Sequence, residues 1–243
     1  MQFPDFIAPF DAARFHAEYF GKRPVHIRGN GDSHRSALDW ARFNQVLAIT
    51  PYWTEETLKV YFKSRVALRE NYCDTADVRA GASAPINPAK VKALMGLGAS
   101  LVANHVHRVC PEVGAVAHML EQEFAARVAA NVYCSFKGVQ AFQTHFDLHD
   151  VFAVQAEGEK LWRVYESRAD APVLPLPPGD EIEKWLTESR GRLLFEAQMQ
   201  PGDVLYLPRG QYHDALTGSH ASLHVTFGVT PATGLALNLN CVY

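Results

Sequence analysis

The sequence predicts an α+β fold with more strand than helix: a double-stranded β-helix, or jelly-roll, barrel with N-terminal helices packed on it. Three observations predict this. Before about residue 127 apolar residues recur mainly at helical spacing, and from Val128 onward they fall in short runs rich in β-branched and aromatic side chains. Turn signals such as Glu157-Gly158-Glu159 and Pro201-Gly202-Asp203 separate several of those runs. The runs do not alternate with helices, which argues against a parallel βαβ sheet and for many short antiparallel strands. A chain of 243 residues fits a single domain: a mainly helical part over 1–127, a barrel core over 128–230 with an insertion at 167–192, and a tail over 231–243.

Taken in order, a helix is expected over Asp11–Phe20, where Phe15, Tyr19 and Phe20 share a face and Gly21 stops the run. Pro24–Gly29 reads as a short strand and Ala37–Leu47 as a second amphipathic helix. Thr54–Leu68 fits strand and helix equally, and the polar, aperiodic stretch Asn71–Ala84 reads as a loop. Further helices are expected at Pro88–Met95 and Pro111–Ala126; in the second, Val113, Val116, Leu120 and Phe124 form a stripe that a core explains better than a ligand site. Strands are expected at Asn131–Phe136, Val151–Ala156, Leu161–Glu166, Leu193–Ala197, Val204–Pro208 and Ser222–Val229. The insertion carries Pro172, Pro175, Pro177 and Pro178 ahead of a helix over Asp180–Glu188, and such loops often shape a barrel mouth.

Composition excludes several classes. Hydrophobic residues at 48% and charged residues at 20% are ordinary for a globular domain with its own core. A formal charge of −3 gives no general attraction to nucleic acid or to a membrane surface. There is no apolar run of about 18 residues, and Met1–Asp5 does not open a secretory leader. Cys73, Cys110, Cys134 and Cys241 are far apart with no C-x-x-C pair, as expected of reduced thiols in a cytoplasmic protein.

The residues with chemical content are His145, Asp147 and His213. In Thr144-His145-Phe146-Asp147, strand alternation puts His145 and Asp147 on one face and Phe146 on the other. Gly202, Pro208, Gly210 and His213 follow G-x5-P-x-G-x2-H: a turn at Pro201–Asp203, a buried strand at Val204–Leu207, and a tight turn at Pro208–Gly210 that presents His213. Two imidazoles and a carboxylate on one face of a metal leave the opposite face open, the arrangement of non-haem Fe(II) oxygenases. An H-x-D pair alone occurs often on solvated strand ends; agreement of ligand type, parity and turn chemistry singles this one out. His105, His107 and Glu112 imitate such a set, but Pro111 interrupts them and a packed role is the better reading. His149 and His220 are expected at a loop or the barrel rim.

The G-x5-P-x-G-x2-H string resembles the second motif of cupin barrels, with Thr217 where that pattern ends in Asn. Gly21–Gly29, Ser100–Pro111, Ala129–Tyr133 and His145–Arg163, read together and in order, resemble the JmjC-type cupin family that includes the ribosomal oxygenases. The resemblance covers nearly the whole chain. It implies an Fe(II)- and 2-oxoglutarate-dependent dioxygenase that uses O2 to hydroxylate a side chain of a peptide or protein, with His145, Asp147 and His213 as metal ligands. That family carries a basic residue fifteen positions after the first ligand, for the distal carboxylate of 2-oxoglutarate, and the position is Lys160 here. Parity alone does not choose between Lys160 and Arg163.

Asn131 and Tyr133 fall at family positions associated with the cosubstrate pocket; polar groups that satisfy each other inside a barrel are the alternative. Ser222, His224 and Thr226 share a face opposite Leu223, Val225 and Phe227, which sends His224 toward cosubstrate and metal or into ordinary core satisfaction. Longer ribosomal oxygenases carry a C-terminal dimerisation region and a winged-helix module without counterpart in this sequence, so a short form is expected, with substrate residue and oligomeric state open. Two other readings stand beside this one. One is a non-catalytic metal-binding cupin acting as a sensor or scaffold; the other is an oxygenase acting on a free amino acid or a modified RNA base.

Overall fold

Helices begin where the sequence supplies a cap. In the computed structural model, which describes residues 1–29, 37–62, 65–74, 82–136, 143–170, 172, 179–217 and 221–231, the first helix α1 spans Phe3–Phe6. Asp11 and Asp39 accept from the backbone N–H groups of Arg14 and Arg42 at the starts of α2 (Ala12–Glu18) and α3 (Trp40–Leu47). The second of these helices therefore starts later than the expected Ala37. Asn87 caps α4 (Pro88–Gly96), and proline opens both α4 and α5 (Pro111–Phe124). α5 stops short of the expected Ala126 because Ala125 turns left-handed, at φ 45° and ψ 46°, and feeds the next strand directly.

Two antiparallel sheets follow. The large one comprises β1 (Val25–Ile27), β2 (Leu58–Phe62), β3 (Arg65–Val66), β4 (Ser100–Ala103), β5 (Ala126–Ser135), β6 (Asp150–Glu157), β9 (Val204–Leu207) and β11 (Ser222–Pro231). Its spatial order is β1-β9-β6-β11-β5-β4-β2-β3. The small one is β10-β7-β8, from β7 (Lys160–Arg168), β8 (Leu193–Met199) and β10 (Gln211–Thr217), with α6 (Asp180–Ser189) inserted between β7 and β8. The architecture is the mostly-β α+β cupin barrel that the sequence predicts. Among the described residues no helix is long and apolar enough to cross a membrane.

The mainly helical part before residue 127 also supplies β1, β2, β3 and β4 to the large sheet. β4 reads poorly in sequence because all four of its residues are buried, so no alternation marks it. His213 lies on strand β10, just after the Pro208–Gly210 turn, and β10 went unread because it alternates so many polar residues that it resembles a loop. Of the expected loop Asn71–Ala84, Tyr72 and Cys73 are buried and residues 75–81 lie outside the described ones, as do His220, Cys241 and the tail beyond 231.

Strand alternation divides the central strands into two environments. One face of β5, β6, β9 and β11 (Val132, Phe152, Tyr206 and Phe227 among others) packs against the N-terminal helices in one large core. Phe152 is the hub of that layer, with ring centroids 4.9 to 6.2 Å from Phe3, Phe6, Phe15, Phe124 and Tyr206. The other face turns to the small sheet, where Val151, Ala153, Leu205 and Leu207 meet Trp162, Val164, Ala197 and Met199. The polar residues of β5 and β11 lie on this inner face.

Candidate metal centre and adjoining cavity

His145 and Asp147 do not sit on a regular strand. Their segment makes one bridge to β10, through the paired bonds His145 N to His213 O (3.0 Å) and His213 N to His145 O (2.9 Å). Gly210 N then donates to Asp147 O at 2.9 Å. The bridge sets His145 against His213, with ring centroids 4.4 Å apart, and Asp147 Oδ2 lies 3.5 Å from His213 Nε2. One potential ligand atom from each of His145, Asp147 and His213 falls within 4.8 Å of the others. Phe146, pointing the other way, packs on Tyr212.

Both imidazoles are oriented by the backbone. Nδ1 of His145 is 2.8 Å from Gln143 O, and Nδ1 of His213 is 2.9 Å from Gln211 O. A carbonyl accepts only from N–H, so each Nδ1 carries the proton and each Nε2 keeps its lone pair for a metal. Burial, reinforced by neighbouring His145, pulls His213 down to about 4, so it is neutral near pH 7. Burial alone would push Asp147 up, but the imidazoles of His213, His145 and His149 outweigh it and hold the carboxyl below its usual range. Neutral imidazole and ionised carboxylate are the forms that bind a divalent ion.

The triad opens on a cavity of about 240 Å³ that Asn131, Tyr133, Lys160 and His224 also line. Lys160 is 4% exposed, and its Nζ donates to Ser135 Oγ at 3.4 Å. Burial lowers this ammonium to about 8. Tyr133 stacks on His224 at 4.7 Å, nearly parallel, and burial with the Lys160 charge drives His224 well below its ordinary range. Asn131 Oδ1 accepts from His105 N at 3.0 Å, so part of its side chain is spent on the barrel wall. Arg163 instead pairs with Glu196 at the surface.

A buried ammonium needs an anionic partner. His224 Nδ1 and Trp162 Nε1 are buried without a partner among the described residues, and both rings line the same cavity. A cation and two unsatisfied ring nitrogens beside an open two-histidine, one-carboxylate set fit a divalent metal with a small carboxylate-bearing ligand. The His105–His107 pair has the packed role expected of it: His107 Nδ1 accepts from Ala130 N at 3.0 Å.

Sequence reasoning passed over Ser135, Trp162 as a cavity wall, and His149. Ser135 was within reach, since it continues the alternation of Asn131 and Tyr133 along β5. His149 is more than a rim residue; it lines the cavity and lies against Gly228 of β11. A Cβ on Gly228 would stand 2.7 Å from its ring, so only glycine admits this approach.

The model of the JmjC domain family matches residues 105–237. A bifunctional lysine-specific demethylase and histidyl-hydroxylase of Dictyostelium discoideum is 29% identical over 227 residues, covering 90% of this chain and 41% of that protein. Ribosomal oxygenase 1 of Danio rerio is 38% identical over 113 residues, 46% of this chain and 20% of that one. This chain thus spans well under half the length of these curated relatives. The Escherichia coli ribosomal oxygenase YcfD, solved with cobalt and 2-oxoglutarate, superposes with a TM-score of 0.60 at 16% identity, over 95% of this chain and 54% of its own. By the extent of the family match, the chain belongs to the JmjC domain family.

Proposed function

We propose that the chain is an Fe(II)- and 2-oxoglutarate-dependent dioxygenase that hydroxylates a side chain of a peptide or protein. The observation that carries this reading is the pairing, in one cavity, of an open His145–Asp147–His213 set with the buried Lys160 cation. The relatives' names supply the substrate class: a histidyl-hydroxylase and ribosomal oxygenases. Iron and 2-oxoglutarate, when bound, supply the oxidative chemistry in which O2 and cosubstrate yield succinate, CO2 and one oxygen atom for the substrate.

The chain's own residues bind and orient. His145, Asp147 and His213 hold the metal from one side, with both Nδ1 protons locked on backbone carbonyls. Lys160, backed by Ser135, receives the distal carboxylate. Tyr133, His224 and Trp162 wall the cosubstrate off from water, and Asn131 steadies the same wall through His105. Buried free thiols at Cys73, Cys110 and Cys134 fit a reducing, cytoplasmic setting.

Purified protein with Fe(II) and 2-oxoglutarate should form succinate, faster with a substrate peptide that gains one oxygen by mass spectrometry. His145→Ala should abolish both. Metal binding with no succinate under any peptide would instead identify a sensor or scaffold.

A further inference from the structure

We propose that the segment inserted between β7 and β8 is a positioning device for the metal centre. Its Arg190 clamps the two stretches of chain that carry His145 and His213. The inference rests on the metal reading above and concerns the side of the small sheet turned away from the cavity.

Arg190 closes α6 as its C-cap. Its Nη1 donates to Thr144 Oγ1 at 2.8 Å and lies 3.5 Å from Asp214 Oδ2. Thr144 immediately precedes His145, and Asp214 immediately follows His213. Alternation along β10 sends Asp214 to the face opposite His213, and Thr144 meets it there; both are 3% exposed. Asp214 Oδ2 also accepts from Thr144 Oγ1 at 3.0 Å and from the Tyr165 hydroxyl at 2.6 Å. The guanidinium sits 4.3 Å over the Tyr165 ring. One cation, one carboxylate and two hydroxyls thus tie the histidine-bearing segments together behind the metal set. Surface ion pairs do little, but this carboxylate is buried, and charge-assisted bonds there are short and directional.

The insertion is built to deliver that arginine. Leu186 and Ile182 of α6 pack against Tyr165, Tyr212 and Phe146. The Arg190 carbonyl accepts from Ser167 N at 3.1 Å. Gly191 then turns at φ +72°, where a Cβ would meet Ser167 Oγ at 2.7 Å. His145 needs such support because its segment has a single bridge and no ladder. A ligand held loosely by a fraction of an ångström loses affinity, and removing groups that orient ligands costs about 10- to 100-fold.

The test is Co(II) binding to the full chain, followed by calorimetry and by the ligand-field absorption of the bound ion. Arg190→Ala should raise the Co(II) Kd about tenfold or more and shift the absorption. Thr144→Val, which removes only the hydroxyl, should shift both in the same direction and carries the test if Arg190→Ala does not fold. Arg192→Ala, which loses only the surface pair with Glu166, and Val116→Ala in the distant helical core should leave Kd and spectrum unchanged even where Tm falls. Unchanged binding in both Arg190→Ala and Thr144→Val, or an equal loss in Val116→Ala, would overturn the clamp. Absence of Co(II) binding to the wild type, or binding that survives His145→Ala, would overturn the metal reading itself.

Discussion

Lys160 carries an unusual electrostatic burden for a single side chain, being both charged and buried. Under the proposed role, Lys160→Ala should weaken 2-oxoglutarate roughly 30-fold or more while leaving Co(II) affinity intact, because truncating one member of a buried charge pair costs about 2–5 kcal/mol. Calorimetric titration of the two ligands separates these effects, and equal cosubstrate affinity in the variant would sink the role. The depressed ammonium also sets a pH dependence. Below about 8 the cation is present before binding; above it, binding must take up a proton. Cosubstrate Kd should therefore rise about tenfold per pH unit above that point. At this scale the sequence was most legible where parity operates on a true strand, as for Asn131 with Tyr133 on β5, while His145 and Asp147 were singled out by residue type on a segment that is not a regular strand. It was silent on Arg190 and Asp214, whose partnership joins distant stretches of chain.

Elements were legible in proportion to their periodicity. α5 showed a clear apolar stripe, and β6 the apolar run Val151–Val154 just ahead of the Glu157–Glu159 turn signal. β4 and β10 escaped notice for opposite reasons: one is buried throughout, and the other mixes Gln211, His213 and Asp214 into a strand that is polar by function. The junction of α5 and β5 makes a sharp prediction. Ala125 occupies the left-handed region at φ 45°, where a Cβ is unfavourable by about 1–2 kcal/mol. Ala125→Gly should relieve part of that strain, net of its entropy, for a gain of about 0.5–1 kcal/mol and a Tm rise of about 2 °C. Thermal unfolding that shows a loss would mean another contact decides the turn.

At the scale of the whole molecule, the N-terminal helices and the barrel share one core through Phe152. Phe152→Ala should cost about 3–5 kcal/mol in urea denaturation; a loss under 1 kcal/mol would mean that the two parts fold independently. The jelly-roll class was legible early because antiparallel strands and turn residues write themselves locally, whereas β2 and β4 joined the sheet by long-range pairing that no short window reports. The two-sided strands carry a further implication for how such a protein can diversify. Every second residue of β5 and β11 belongs to an oily layer, and between them Ala129 and Thr226 face the cavity without the close approach that fixes Gly228 or the wall bond that holds Asn131. A combinatorial library confined to Ala129 and Thr226 would therefore explore new selectivities while leaving that layer intact, so innovation here is largely separable from the risk of collapse.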